Sequence, residues 1–280
     1  MSSNLFTGDP NKVTVIRQLN PDITTFSVPF ARFGVLKFGG RGTLVKLPSG
    51  SLLIFSPVTL TAEIQSVIAA TGTGQVAYIV APDIEHHIHL SAWKAAYPEA
   101  LIIAPEGLHE KRQAQSQSAT TTTDANPTFD IIYTPTNKHT LTITPEFHAT
   151  FEIEYVHSHG NREIVLLHKP TRMLIQADLL FNLPAWEQYS LTDEDAGAGW
   201  WNRTGMGWMK TGTAAERKAQ ARFVWYVLAA KDRKGFGESI RRIAGWGGLA
   251  GVVPCHGDVI EGEDRAREVF EGVFGDFLKE

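Results

Sequence analysis

The 280-residue chain reads as an α/β protein in four layers, an αββα sandwich with helices outside two β-rich halves. Three observations predict this. In the first part of the chain apolar runs alternate with helix-period segments, the βαβ order from which layered sheets are built. Beyond a polar stretch comes a second series of short apolar runs, which then gives way to helices. Clusters of histidine and carboxylate stand directly after several of these runs, at strand ends where loops converge.

Taken in order, residues 33–38 and 43–47 read as strands, and Pro48-Ser49-Gly50-Ser51 is a turn leading into a strand over 52–55, a hairpin by its turn chemistry. Residues 62–70 place Ile64, Val67 and Ile68 on one helical face, and Gly72 and Gly74 end that helix before a strand over 76–80. A helix over about 90–97 stops at Pro98, and residues 100–104 return as a strand. Residues 113–128 are rich in Ser, Thr and Gln and lack periodicity, which predicts an exposed loop between the halves. Short strands follow at 129–133, 141–143, 151–156, 164–168 and 173–177. Helices are expected over 214–230, where Phe223, Val224, Tyr226, Val227 and Leu228 share a helical pattern, over 239–243 and over 264–278, with a strand at 249–253 before His256. All of this is expected to form a single domain, 1–280.

Composition narrows the function. With 43% hydrophobic residues the chain can bury one large core or two merged halves. A net charge of -4 and a pI near 6.2 provide no basic footprint for nucleic acid. No apolar run reaches the roughly 18 residues that a membrane span needs, so no membrane partner is expected. The first ten residues have neither the positive nor the apolar region of a secretion signal, which predicts a cytoplasmic protein. The single cysteine, Cys255, excludes an internal disulfide and a thiolate-rich zinc site; no cysteine-protease signature surrounds it, which favours a buried, apolar-like role.

The chemistry is concentrated in Asp83-Ile84-Glu85-His86-His87, in His157-Ser158-His159, and in Asp178 and His256 after two later apolar runs. Imidazole and carboxylate together suit zinc, iron or manganese, and ligands at the ends of adjacent strands can converge without distorting a sheet. His87 and His89 read equally as the start of the following helix. His109, His139, His148 and His168 have no clustered partner, and Asp258 and Glu261 fit a cap on the last helix.

Nineteen residues separate His159 from Asp178, and the sequence between them reads as strand, turn, strand. With that interval, with Gln176-Ala177-Asp178-Leu179-Leu180-Phe181 and with Val253-Pro254-Cys255-His256-Gly257-Asp258, the chain resembles the metallo-β-lactamase superfamily. That superfamily carries H-x-H-x-D-H, a histidine in a GHTPGS-like turn, an aspartate in a GDLLF-like strand end and a histidine near the C-terminus. The interval selects His159 over His157. The first motif departs: aligning Glu85-His86 with Asp-His puts Asp83 in place of the second histidine and Ala81 in place of the first. Residues 81–87 with Trp93, Tyr97-Pro98 and 104–108, and residues 177–184 with Glu187-Gln188-Tyr189, are similar to a mainly fungal branch with such a degenerate motif.

The resemblance covers roughly residues 30–275 and implies a metallo-β-lactamase-like sandwich. It implies metal ligands among Asp83, Glu85, His86, His159, Asp178 and His256: Glu85, His86 and His256 at the second metal position, Asp83 and His159 at a depleted first, and Asp178 able to bridge. One or two divalent ions are expected, zinc first, with iron or manganese as alternatives. Water on such an ion has its pKa lowered toward about 7, so the implied reaction is hydrolysis of a small ester, thioester or lactone by a metal-bound hydroxide, with Asp178 and Glu85 as catalytic carboxylates. A non-hydrolytic metalloenzyme and a non-catalytic binding protein on the same fold stay open.

Four of the seven tryptophans, Trp186, Trp200, Trp201 and Trp208, lie within residues 181–208. Glycine and aromatic residues are too densely mixed there for a regular strand or helix. Residues 182–212 therefore predict a loop over the cleft, with Trp186, Trp200 and Trp201 enclosing an apolar or flat small-molecule substrate and Arg203 meeting a substrate carboxylate. A packed cap or a homodimer contact is the alternative reading of the same segment.

Overall fold

Leu52-Leu53-Ile54-Phe55 and Ile164-Val165-Leu166-Leu167 are apolar at every position, so strands made from them must be covered on both faces. The computed structural model, which describes residues 5–118, 127–200, 202 and 206–279, covers them with an αββα sandwich. Its first sheet has the spatial order β1 (Val15–Asn20), β2 (Ile23–Val28), β5 (Gly40–Lys46), β6 (Leu52–Phe55), β7 (Val76–Val80), β8 (Leu101–Pro105) and β9 (Ile131–Tyr133). The second contains β10 (Phe151–Val156), β11 (Glu163–His168), β12 (Met173–Gln176), β13 (Gly251–Pro254) and β14 (Ile260–Glu261). A separate ribbon pairs β3 (Ala31–Arg32) with β4 (Leu36–Lys37).

Three apolar layers hold the sandwich together. Leu44, Ile54 and Ile79 face Ile64 and Ile68 of α2 (Ala62–Ala70) and Trp93 of α3 (Leu90–Ala96), while Leu53, Phe55 and Val80 point inward to meet Ile164, Leu166, Ile175 and Val253 of the other sheet. On the far side Val165, Leu167 and Leu174 pack with α8 (Arg233–Ala244) and α9 (Glu263–Leu278), and Val224 joins them just beyond α7 (Ala214–Phe223). The remaining helices are α1 (Pro10–Val13), α4 (Leu108–Ser118), α5 (Pro145–Thr150) and α6 (Trp186–Tyr189).

The structure corrects several expectations. Residues 113–118 are not loop but the end of α4, whose Glu, Lys, Arg, Gln and Ala residues are good helix formers without any apolar stripe. The rest of the predicted loop lies outside the described residues as far as 126. The strand expected at 33–38 is the β3–β4 ribbon, turned at Phe33 with a φ of 56°. Residues 141–143 form no strand, although Leu141 and Ile143 pack against the core between the sheets. The described residues within 182–212 include α6 and a 3-10 turn at Gly207–Met209. The helix expected over 214–230 changes after Phe223 to one π-helical turn, Val224–Leu228.

Strand direction positions the site. β10 and β12 are both antiparallel to β11, and β13 is parallel to β12, so Val156, Gln176 and Pro254 end their strands at one edge of the second sheet. The loop after β7 of the first sheet reaches the same edge, tied there by Ile164 N–H to Pro82 O (2.7 Å) and Ile84 N–H to Asn161 O (3.1 Å).

Candidate metal centre

Each loop is shaped by its own polar side chains. After β7, Asp83 folds the chain back: its Oδ1 accepts from the backbone N–H groups of Glu85 (2.7 Å) and His86 (2.8 Å), a local turn typical of aspartate. After β12, Gln176 Oε1 accepts from Leu179 and Leu180 N–H, while the buried carboxylate of Glu163 accepts from Ala177 N–H (2.7 Å) and Asp178 N–H (3.0 Å). Burial and the charges of Asp83 and Asp178 push the Glu163 carboxyl well above its usual range.

These turns bring His86, Asp178 and His256 together, with one ligand atom of each within 4.8 Å of the others. His86 Nε2 lies 3.2 Å from His256 Nε2, which is 3.3 Å from Asp178 Oδ1. Asp178 Oδ2 is occupied by Asn161 Nδ2–H at 2.6 Å. The tautomers follow from the partners behind each ring. His86 Nδ1–H donates to Asp83 Oδ2 at 2.8 Å, and His256 Nδ1–H donates to Gly39 O at 2.6 Å. Both Nε2 atoms are thereby turned toward one point beside a carboxylate, with the outer partners that metal-binding histidines use.

The field at that point is negative. Burial opposes charge on His86, yet the carboxylates of Asp83 and Asp178 raise its pKa to about 10. Burial would likewise raise the Asp178 carboxyl, but His86, His256 and His159 hold it well below the usual range. A site that binds a proton so firmly between imidazole and carboxylate fits a divalent cation of the zinc, iron or manganese type.

The other expected ligands stand outside this three-residue group. Asp83 is fully buried, and both its oxygens are used in holding His86 and its loop. Glu85 pairs with Lys111 Nζ at 2.7 Å and Arg32 at 3.4 Å and is not in the three-residue group. His159 has the opposite tautomer: its Nδ1 accepts from Asn161 N–H (3.1 Å), so the proton sits on Nε2, which is buried, makes no hydrogen bond and lies 3.9 Å from Glu163. His157 Nε2 contacts Ser158 Oγ at 3.2 Å. Burial, then Arg112 and Lys111, lower the pKa of His87 to about 4; burial alone lowers that of His89 to about 4.

A cavity of about 650 Å³ opens onto the three residues. Its wall is more apolar than polar, and aromatic rings surround His256. Phe181 stacks on His256 (5.8 Å between centroids, 9° between planes), Phe30 stacks on its ring at 6.0 Å, and Phe38 meets it edge-on. Trp208 and Phe223, 4.2 Å apart, line it further. Trp186 and Trp200, expected to enclose substrate, are 52% and 66% exposed and do not line it; Trp201 and Arg203 lie outside the described residues. Sequence reasoning missed Asn161, Glu163 and Arg41. A charged residue between Gly40 and Gly42 in a buried strand, and a glutamate opening an otherwise apolar strand, are the signals that mark the last two.

The chain has the metallo-β-lactamase architecture. It aligns over 95% of its length with all of a metallo-β-lactamase from Pontibacter korlensis, at a TM-score of 0.56 and 11% identity. It aligns over 95% with 95% of the DIM-1 metallo-β-lactamase at 0.55 and 8%, and over 94% with 97% of that enzyme exposed to ceftazidime at 0.52 and 11%. No curated protein matches the chain. The chain belongs to the family described as Domain of unknown function (DUF4336), whose model matches residues 35–218. That span includes His86 and Asp178; His256 lies beyond it.

Proposed function

We propose that this protein is a mononuclear metal-dependent hydrolase of a small, largely apolar ester, thioester or lactone, with His86 Nε2, His256 Nε2 and Asp178 Oδ1 as its metal ligands. One observation carries the reading: two imidazole Nε2 atoms, each backed by a hydrogen bond from its own Nδ1, meet at 3.2 Å beside a buried carboxylate. Such a pair of nitrogens needs a positive charge between them, which a proton on His86 supplies and which a metal ion would supply in its place. A divalent ion held there would supply Lewis acidity and lower the pKa of a coordinated water, which is the chemistry of hydrolysis.

The chain's own groups do the rest. Asp83 and Gly39 O fix the rings, Asn161 fixes one Asp178 oxygen and leaves the other turned to the histidines, and Phe30, Phe181 and Trp208 offer an apolar wall for the substrate. Because Asp83 is spent on His86 and His159 carries its proton on Nε2, the ligand set serves one ion rather than two. Likeness to the solved metallo-β-lactamases supports this at the level of fold. Protein reconstituted with zinc, iron(II) or manganese should hydrolyse members of a panel of aryl esters, thioesters and lactones, and Asp178→Asn should lower the rate at least about 100-fold. Metal binding without turnover of any panel member would instead favour a binding protein that has lost the chemistry, the reading to which the pairing of Glu85 with Lys111 and Arg32 lends support.

A further inference from the structure

We infer that Arg41, with Gln188, is a positioning residue for His256: together they form a buried clamp that fixes the imidazole for metal binding. This rests on the metal reading above. Arg41 is 1% exposed. A buried guanidinium is unfavourable unless its N–H groups are partnered, and here they are. Nη1 donates to Pro254 O and to Gly257 O, both at 2.6 Å; Nε donates to Ser27 Oγ at 3.0 Å and Nη2 to Glu187 Oε1 at 3.1 Å. The two carbonyls bracket His256. A lysine offers a point charge where this site uses a fork.

Gln188 closes the turn from the other side. Its Nε2 donates to Cys255 O at 2.9 Å, and its Oε1 accepts from Gly257 N–H at 3.1 Å. His256 O itself accepts from Asn182 N–H at 3.2 Å, so each carbonyl from Pro254 to Gly257 is held. The ring is aimed by the same stretch of chain, since Gly39, two residues before Arg41, provides the carbonyl that takes His256 Nδ1–H. Gly39 has φ +67°, and a Cβ there would lie 2.3 Å from Gln188 Oε1, so glycine is what allows the two parts of the clamp to meet. Arg41 borders the cavity, but its Nε, Nη1 and Nη2 are all engaged by protein partners, which is why the role is positioning rather than catalysis.

The test compares zinc affinity, by competition with a chromophoric chelator, in the parent, Arg41→Met, Gln188→Met and Lys138→Met. Lys138 is another buried cation, but it binds Glu154, Tyr155 O and Ser239 and nothing in the His256 turn. The clamp predicts affinity losses of about 10- to 100-fold in the first two variants and none in the third. Imidazole 15N spectra of the zinc-free proteins provide a second readout: His256 should be a single Nδ1–H tautomer in the parent and a mixture in the clamp variants. If Arg41→Met does not fold, Gln188→Met, a near-isosteric neutral change, decides. Parent-like affinity with one tautomer in the clamp variants overturns the clamp and leaves the metal reading standing. A parent that binds no zinc overturns the metal reading, and the tautomer spectra then decide on the clamp alone.

Discussion

His86 and His159 lie in the same field of carboxylates yet differ at Nδ1, which donates to an aspartate in one and accepts from a backbone N–H in the other. That difference separates a ligand from a structural residue and predicts the variants. His256→Ala should abolish tight zinc binding. His159→Gln should keep it while lowering stability by about 1–3 kcal/mol, the usual effect of disturbing a buried polar group; calorimetric titration and thermal unfolding measure the two effects. His87 and His89 set the response to acid. Their folded pKa values of about 4 lie below the ordinary 6.5, so between those values the unfolded chain binds more protons than the folded one. The stability they contribute is present above pH 6.5 and is lost as pH falls toward 4. Exchanging both for Gln should flatten the decline in melting temperature over that interval, and an unchanged decline would show that other groups cause it.

At the scale of elements, the site depends on how four strand ends are turned. Gly257 follows His256 with φ +88°, and a Cβ there would lie 2.1 Å from Asn182 O. Gly257→Ala should therefore cost more than about 1 kcal/mol and weaken metal binding as well, since the displaced backbone carries His256. An alanine variant matching the parent in both denaturant midpoint and zinc affinity would contradict this. Periodicity made α2, α3 and α9 legible, because each buries a stripe of apolar residues. It could not reveal α4, a polar helix anchored by Lys111 to Ile84 O and by Arg112 to His87 O rather than by an apolar face. Strands β1 and β2 also went unread: Arg17, Gln18, Thr24 and Thr25 dilute the apolar signal, and their place in the sheet comes from the pairing of β2 with β5 and of β1 with β2.

Across the whole molecule, two sheets share the buried layer that contains Leu166 and Ile175, and the site sits where that layer meets solvent. Leu166→Ala should cost about 2–5 kcal/mol in chemical denaturation, since its neighbours on both sheets cannot close the gap. The sandwich was legible because central strands such as β6 and β11 are apolar on both faces. The site was legible only in part: Asp178 and His256 follow strand ends, but whether Asp83 or Glu85 turns inward depends on a hydrogen bond to His86 and a salt bridge to Lys111 that sequence spacing does not encode. Spacing cannot assign the tautomer of His159 either. Metal stoichiometry is decisive for a single-ion site, measured by inductively coupled plasma mass spectrometry of the protein purified without a metal-binding tag, beside Asp178→Ala. We expect close to one equivalent of zinc, iron or manganese in the parent and almost none in the variant. Two equivalents, none after reconstitution, or equal content in both proteins would contradict a single ion held by His86, Asp178 and His256.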